Sequence, residues 1–183
     1  MGINKLVFNG KVYLSPQYAE EMRLRQSNGD QSLFDLKEVF KIYWATGFHP
    51  DFGQDSHFAK PQEIRSLGIR KSHVRQDSYS VGFGWTSTKE AWDLWSLGTS
   101  KVKPASNSYL IYSVTENRDA IITTFLDDGA HGKCDQTEYM EGVISLTYTL
   151  FQKLKQKPMP IQEHQFLFDD KWLIGPANED EAS

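Results

Sequence analysis

Residues 119–154 read DAIITTFLDDGAHGKCDQTEYMEGVISLTYTLFQKL. The first part, Ala120-Ile121-Ile122-Thr123-Thr124-Phe125-Leu126, is an apolar, β-branched run that predicts a buried strand. A tight polar turn over residues 127–135 follows, with His131 set between Gly129 and Gly132 at the carboxyl end of the strand. Asp135 and Glu138 have the spacing of a capping box, which predicts a helix start there. Met140, Val143, Ile144, Thr147, Leu150, Phe151 and Leu154 then recur at i, i+3 and i+4, the stripe of a core-facing helix over residues 136–156. A polar turn held between a buried strand and a packed helix is where rigid scaffolds commonly present chemistry.

Upstream, residues 108–115 predict a strand that pairs with 120–126 through a short turn at Glu116-Asn117-Arg118. Residues 68–76 read as another strand, carrying Arg70, Lys71, His73 and Arg75. Tyr79, Val81, Phe83 and Trp85 alternate as in a further strand, and residues 86–97 predict a short helix bearing Trp92 and Trp95. At the N-terminal end, residues 5–8 and 11–14 flank Asn9-Gly10, a hairpin signal, with a single kinked strand as the alternative. Ser15-Pro16 starts a helix that stops at Asn28-Gly29, and Ser32 starts a second that ends at Gly47. Residues 48–67 read as one long loop, of the kind that is often functional. After the long helix, Pro158 and Pro160 break the pattern, residues 165–174 form an apolar appendage, and the acidic end is expected to be disordered. The whole predicts an α+β fold: an N-terminal strand and two helices, a mainly antiparallel sheet, and a C-terminal helix packed on it. One domain is expected over 1–157 and a C-terminal extension over 158–183.

Composition narrows the function. The chain has 183 residues, a net charge of −4 and one cysteine, Cys134. Nothing in it resembles a signal peptide or an apolar run of roughly 18 residues, so a soluble, cytoplasmic protein without a membrane partner is expected. A lone cysteine excludes an internal disulfide and fits a reducing compartment. The charge is uneven: residues 60–103 hold eight Lys or Arg against four Asp or Glu.

Strand alternation puts Lys71, His73 and Arg75 on one face, and the strand that leads to His131 is expected in the same sheet. Two imidazoles and several cations over one sheet surface suit RNA cleavage by the ribose 2′-hydroxyl. One group takes the 2′-hydroxyl proton, another protonates the leaving 5′-oxygen, and fixed cations stabilise the phosphorane charge. Histidine fits both proton steps because its ordinary pKa lies near 6.5. His131 and His73 are therefore the catalytic candidates, with Asp135 as a carboxylate partner that helix capping also claims. Lys71 and Arg75 are the main RNA-binding candidates, with Lys133 beside the turn and Arg70 on the opposite face. No cofactor or metal is called for: His131 and Cys134 lack the second pair that a zinc site needs. Glycine-rich phosphate loops, a Gly-x-Ser-x-Gly elbow and a two-metal acidic cluster are missing. A packing role for each histidine, and protein docking through the Trp-rich segment, are the competing readings.

Four ordered pieces carry a family likeness. They are Pro50-Asp51-Phe52-Gly53-Gln54-Asp55, Arg70-Lys71-Ser72-His73-Val74, Ser106-Asn107-Ser108-Tyr109-Leu110-Ile111-Tyr112, and His131-Gly132-Lys133-Cys134-Asp135 followed by the Met140 helix. Across roughly residues 10–155 the chain resembles the YafO family of toxins from bacterial type II toxin–antitoxin systems, in the RelE-like group. The resemblance implies a RelE/ParE-like scaffold and a ribosome-dependent endoribonuclease that cuts mRNA and blocks translation. It further implies a cognate antitoxin as partner and a catalytic role for His131. Relatives that inhibit DNA gyrase without cutting RNA supply the alternative, a non-enzymatic growth inhibitor on the same scaffold.

Overall fold

A computed structural model of the chain describes residues 7–77 and 85–174. Its centre is the antiparallel pair β5 (Tyr109–Val114) and β6 (Ala120–Leu126), joined by the short turn that the sequence predicts. Every residue of β5 is buried, as expected of a strand covered on both faces. β4 (Ile69–Val74) and β3 (Phe52–His57) extend the sheet on one side and β2 (Val12–Leu14) on the other, giving the order β2-β6-β5-β4-β3. Among the described strands of this sheet, only the β2–β6 pair is parallel.

Helices cover both faces. α1 (Pro16–Ser27) starts with Ser15 Oγ accepting the Tyr18 N–H at 3.0 Å, and α2 (Ser32–Thr46) stops at Gly47 in the left-handed region. They bring Tyr18, Leu33, Phe40 and Trp44 against Leu110, Tyr112 and Ile122. On the other face, α3 (Gln62–Ser66) and α6 (Thr137–Leu154) pack Ile64, Met140 and Val143 on Ile69, Tyr109 and Ile111. The apolar stripe read from the sequence is thus the buried face of α6, with Leu150 and Phe151 set on Ile121. Two further helices, α4 (Trp85–Ser96) and the one-turn α5 (Ala130–Cys134), flank the β4–β5 end.

Several expectations are corrected. Asn9-Gly10 makes no hairpin: β1 (Val7–Phe8) pairs with β7 (Leu173–Ile174), whereas β2 joins β6. Gly10 has φ +118°, and a Cβ there would lie 2.2 Å from the Arg118 carbonyl oxygen, so the turn serves a close backbone crossing instead. The long loop at 48–67 contains β3 and α3. Asp135 does not cap α6; it closes α5, its N–H donating to His131 O, and α6 starts after Gln136 with no side-chain cap. The polar turn is therefore largely helical. Residues 158–174, expected as an extension, enter the main core through Met159 and Leu167. Trp85 opens α4, and the rest of the expected strand around Tyr79 lies outside the described residues.

Arg118 ties these parts together. It is fully buried, in the left-handed region at the β5–β6 turn. Its guanidinium donates to the carbonyl oxygens of Asn9, Trp44 and Leu167. The rings of Phe8, Trp44 and Phe168 surround it at 4.5–5.1 Å.

Candidate active site

β4 and β5 pair so that His73 lies opposite Tyr109, and their side chains meet on the face that α5 borders. The His73 and Tyr109 rings are edge to face at 4.6 Å, Tyr109 and His131 at 5.2 Å, and the two imidazoles are 6.3 Å apart by centroid. Lys71 Nζ lies 4.6 Å from the Tyr109 ring centroid and 5.2 Å from that of Phe58. His73, His131 and Lys71 therefore share one surface, Lys71 and His73 through strand alternation and His131 through the position of α5. Tyr109, at its centre and fully buried, was not singled out by sequence reasoning; its place opposite His73 is the register signal that reveals it.

The imidazoles differ in setting. His73 is 4% exposed, and burial pushes its pKa down to about 4, against the opposing pull of the Ser106 backbone. Its Nδ1 lies 2.8 Å from the Ser106 amide nitrogen and 2.9 Å from the Ser106 carbonyl oxygen. His131 is exposed, on the first turn of α5. Burial lowers the Lys71 pKa, against the attraction of Cys134 and Asp135, and raises that of the Cys134 thiol to about 11. Lys133 and Asp135 are exposed beside this surface, Lys133 with its Nζ 5.1 Å from the Tyr139 ring.

Two other predicted cations are engaged elsewhere. Arg70 points to the opposite face, where its guanidinium holds Asp55 at 2.8 Å and contacts Tyr112 Oη and His164 Nδ1. It is 8% exposed and so removed from any RNA-facing surface in this structure. Arg75 lies on the histidine side but pairs with Asp93 at 2.9 Å and Ser96 at 2.8 Å on α4. Trp92 and Trp95 of the same helix donate to the Ala105 and Phe52 carbonyls, as anchors of the segment. No group of three or more His, Cys, Asp or Glu side chains that could hold a metal ion occurs among the described residues.

A family model for the toxin YafO of type II toxin–antitoxin systems matches residues 41–153, well over half of the chain. The chain belongs to the YafO toxin family. No curated protein and no solved structure matches it. This YafO toxin therefore has a cognate antitoxin as partner. The match spans β3 through nearly all of α6, and so contains every residue of the histidine surface. No helix among its described residues is long and apolar enough to cross a membrane.

The toxin's buried histidines give it a defined acid sensitivity. Burial lowers the pKa of His164 to about 4 as well, with Arg70 adding to the effect. In an unfolded chain both histidines titrate near 6.5. Between about pH 6.5 and 4 the unfolded chain thus binds more protons than the folded one, so stability is lost as pH falls through that window. The melting temperature should drop from pH 6.5 to 4.5, and less steeply in His164→Gln. A melting temperature constant over that range would refute it.

Proposed function

We propose that this toxin is an endoribonuclease that cuts mRNA on the ribosome and so blocks translation in the cytoplasm. The observation that carries the reading is the convergence of His73, His131 and Lys71 around Tyr109 on one sheet face. A gap of 6.3 Å between the imidazole centroids suits groups acting on opposite sides of one phosphodiester. In this reading the ribose 2′-oxygen attacks the adjacent phosphorus as the P–O5′ bond breaks, leaving a 2′,3′-cyclic phosphate and a 5′-hydroxyl. His73, unprotonated at neutral pH because of its burial, is the base that takes the 2′-hydroxyl proton. His131 donates the proton that the 5′-oxygen takes up. Lys71 faces the charge that builds on the phosphorane oxygens. Asp135, near Lys71, has the supporting role of holding that ammonium in place, and Lys133 meets a flanking phosphate.

Mapping transcript 5′ ends after brief induction tests the reading. New ends in translated messages are expected; intact transcripts with translation still running, or a DNA-damage response in their place, would overturn it. Phosphate contacts also make RNA affinity salt-dependent, with a log–log slope of about −0.7 for each contact on a single strand. Lys71→Ala should flatten the slope by about that amount. Arg75→Ala should flatten it less, because Asp93 already offsets its charge. Equal effects of the two variants would move the RNA path toward α4.

A further inference from the structure

α5 has five residues and begins at Gly129, which has no side chain to cap it. So short a helix does not hold itself together, and its first N–H groups need acceptors from elsewhere. One distant residue supplies both. The Ala130 N–H donates to the Asn107 carbonyl oxygen at 3.1 Å, and the His131 N–H donates to Asn107 Oδ1 at 3.0 Å. The amide is fixed in that orientation from its other end, because Nδ2 faces Asp128 Oδ1 at 3.3 Å. Asn107's own N–H donates to Gln76 Oε1 at 3.1 Å. The preceding residue, Ser106, is the one whose backbone amide and carbonyl both lie against His73 Nδ1. Two consecutive residues thus locate both imidazoles, one through its main chain and one through its side chain.

We propose that Asn107 is a positioning residue for His131, and that the Ser106–Asn107 peptide sets the spacing between the two catalytic imidazoles. This rests on the endoribonuclease reading for its activity readout only. Asn107 touches neither imidazole ring; it fixes the backbone that carries one of them. A displacement of roughly 1 Å of a catalytic group costs on the order of 10²-fold in rate. Ala130 stays anchored in the core and the Gly129 N–H on Asp128 Oδ1, so what the Asn107 side chain adds is the acceptor for the N–H of His131 itself.

The experiment uses the full-length toxin and three variants: Asn107→Ala, Asn107→Asp, and the exchange Asn107→Asp with Asp128→Asn. The exchange keeps an acceptor for the His131 N–H and restores an amide–carboxylate contact with its partners swapped, provided that the amide introduced at position 128 turns its oxygen to the Gly129 N–H that Asp128 Oδ1 accepts at 2.9 Å. Hydrogen exchange on the free protein should show the His131 amide losing protection about tenfold in Asn107→Ala. The His131 ring resonances should move toward those of a mobile histidine, while the core amides stay protected. Cleavage of a reporter transcript should lose kcat by about 10–100-fold with KM unchanged, and the exchange variant should recover most of it. Asn107→Asp alone should fall between, because two carboxylates then face each other. Unchanged His131 protection in Asn107→Ala overturns the cap. Lost protection with undiminished cleavage overturns the positioning role. If the wild-type toxin cuts no transcript while the protection result holds, the endoribonuclease reading falls and the bracket stands.

Discussion

His131→Ala should be a folded, non-toxic protein whose transcript cleavage is reduced ~10²–10⁴-fold, the usual loss when a general acid or base is removed. The side chain is exposed and the nearest ring is Tyr109 at 5.2 Å, so truncation opens no core cavity. His131→Gln keeps size and hydrogen bonding but supplies no acidic proton, and should be nearly as inactive. Both variants should still bind antitoxin. Growth arrest is the first measurement, followed by single-turnover cleavage of a short transcript. Full toxicity in either variant would pass the role to His73; activity that falls only as fast as the folded fraction would make His131 structural.

Asp55→Ala should produce the largest loss of stability. Asp55 Oδ2 accepts from Tyr43 Oη at 2.8 Å and Tyr112 Oη at 2.6 Å, while Oδ1 holds Arg70. The side chains of Arg70 and Asp55 are only 9% and 4% exposed. Removing the carboxylate leaves a buried guanidinium whose remaining partners among the described residues are Tyr112 and His164. Breaking such a pair costs about 3–5 kcal/mol, which for a chain of this size lowers the melting temperature by about 6–20 °C. Asp55→Asn should lie between, keeping one acceptor and losing the charge. Urea titration checks the magnitude through the midpoint. A change below about 1 kcal/mol would mean that Arg70 reaches solvent in the variant. Because the network faces away from the histidine surface, cleavage measured well below the melting temperature should be spared.

What the sequence made legible follows from which interactions are local. The β5–β6 pair, the α6 stripe and the Ser15 cap depend on neighbours in the chain, and they were readable. β3 was not, because Phe-Gly-Gln-Asp-Ser-His has neither alternation nor an apolar run; it becomes a strand by pairing with β4 and by sinking Asp55 beneath two tyrosines. The Asn9-Gly10 turn misled for the opposite reason. Its local signal is real, but β6 and β7 offer better partners to the two runs it separates. At the site, alternation placed Lys71 and His73 together and Arg70 opposite, and the strand–turn–helix pattern marked His131. Tyr109 and Asn107 stayed hidden because their roles exist only across strands, at separations that no sequence period encodes. Arg70 was readable as facing away, but not as the centre of a buried charge network.

Arg118 also sets an order in time. Its three carbonyl acceptors come from residues 9, 44 and 167, so the last of them is made more than a hundred residues after the first two. Until then a buried guanidinium lacks one acceptor and the Phe168 ring that lies against it, and β1 has no β7 to pair with. A growing polypeptide cannot close this core domain by domain from its beginning. Contacts between residues this far apart form slowly, after a long loop has been closed. A cell making this protein therefore has an interval, set by the emergence of residues near 167, in which most of the chain exists but its core is not yet closed.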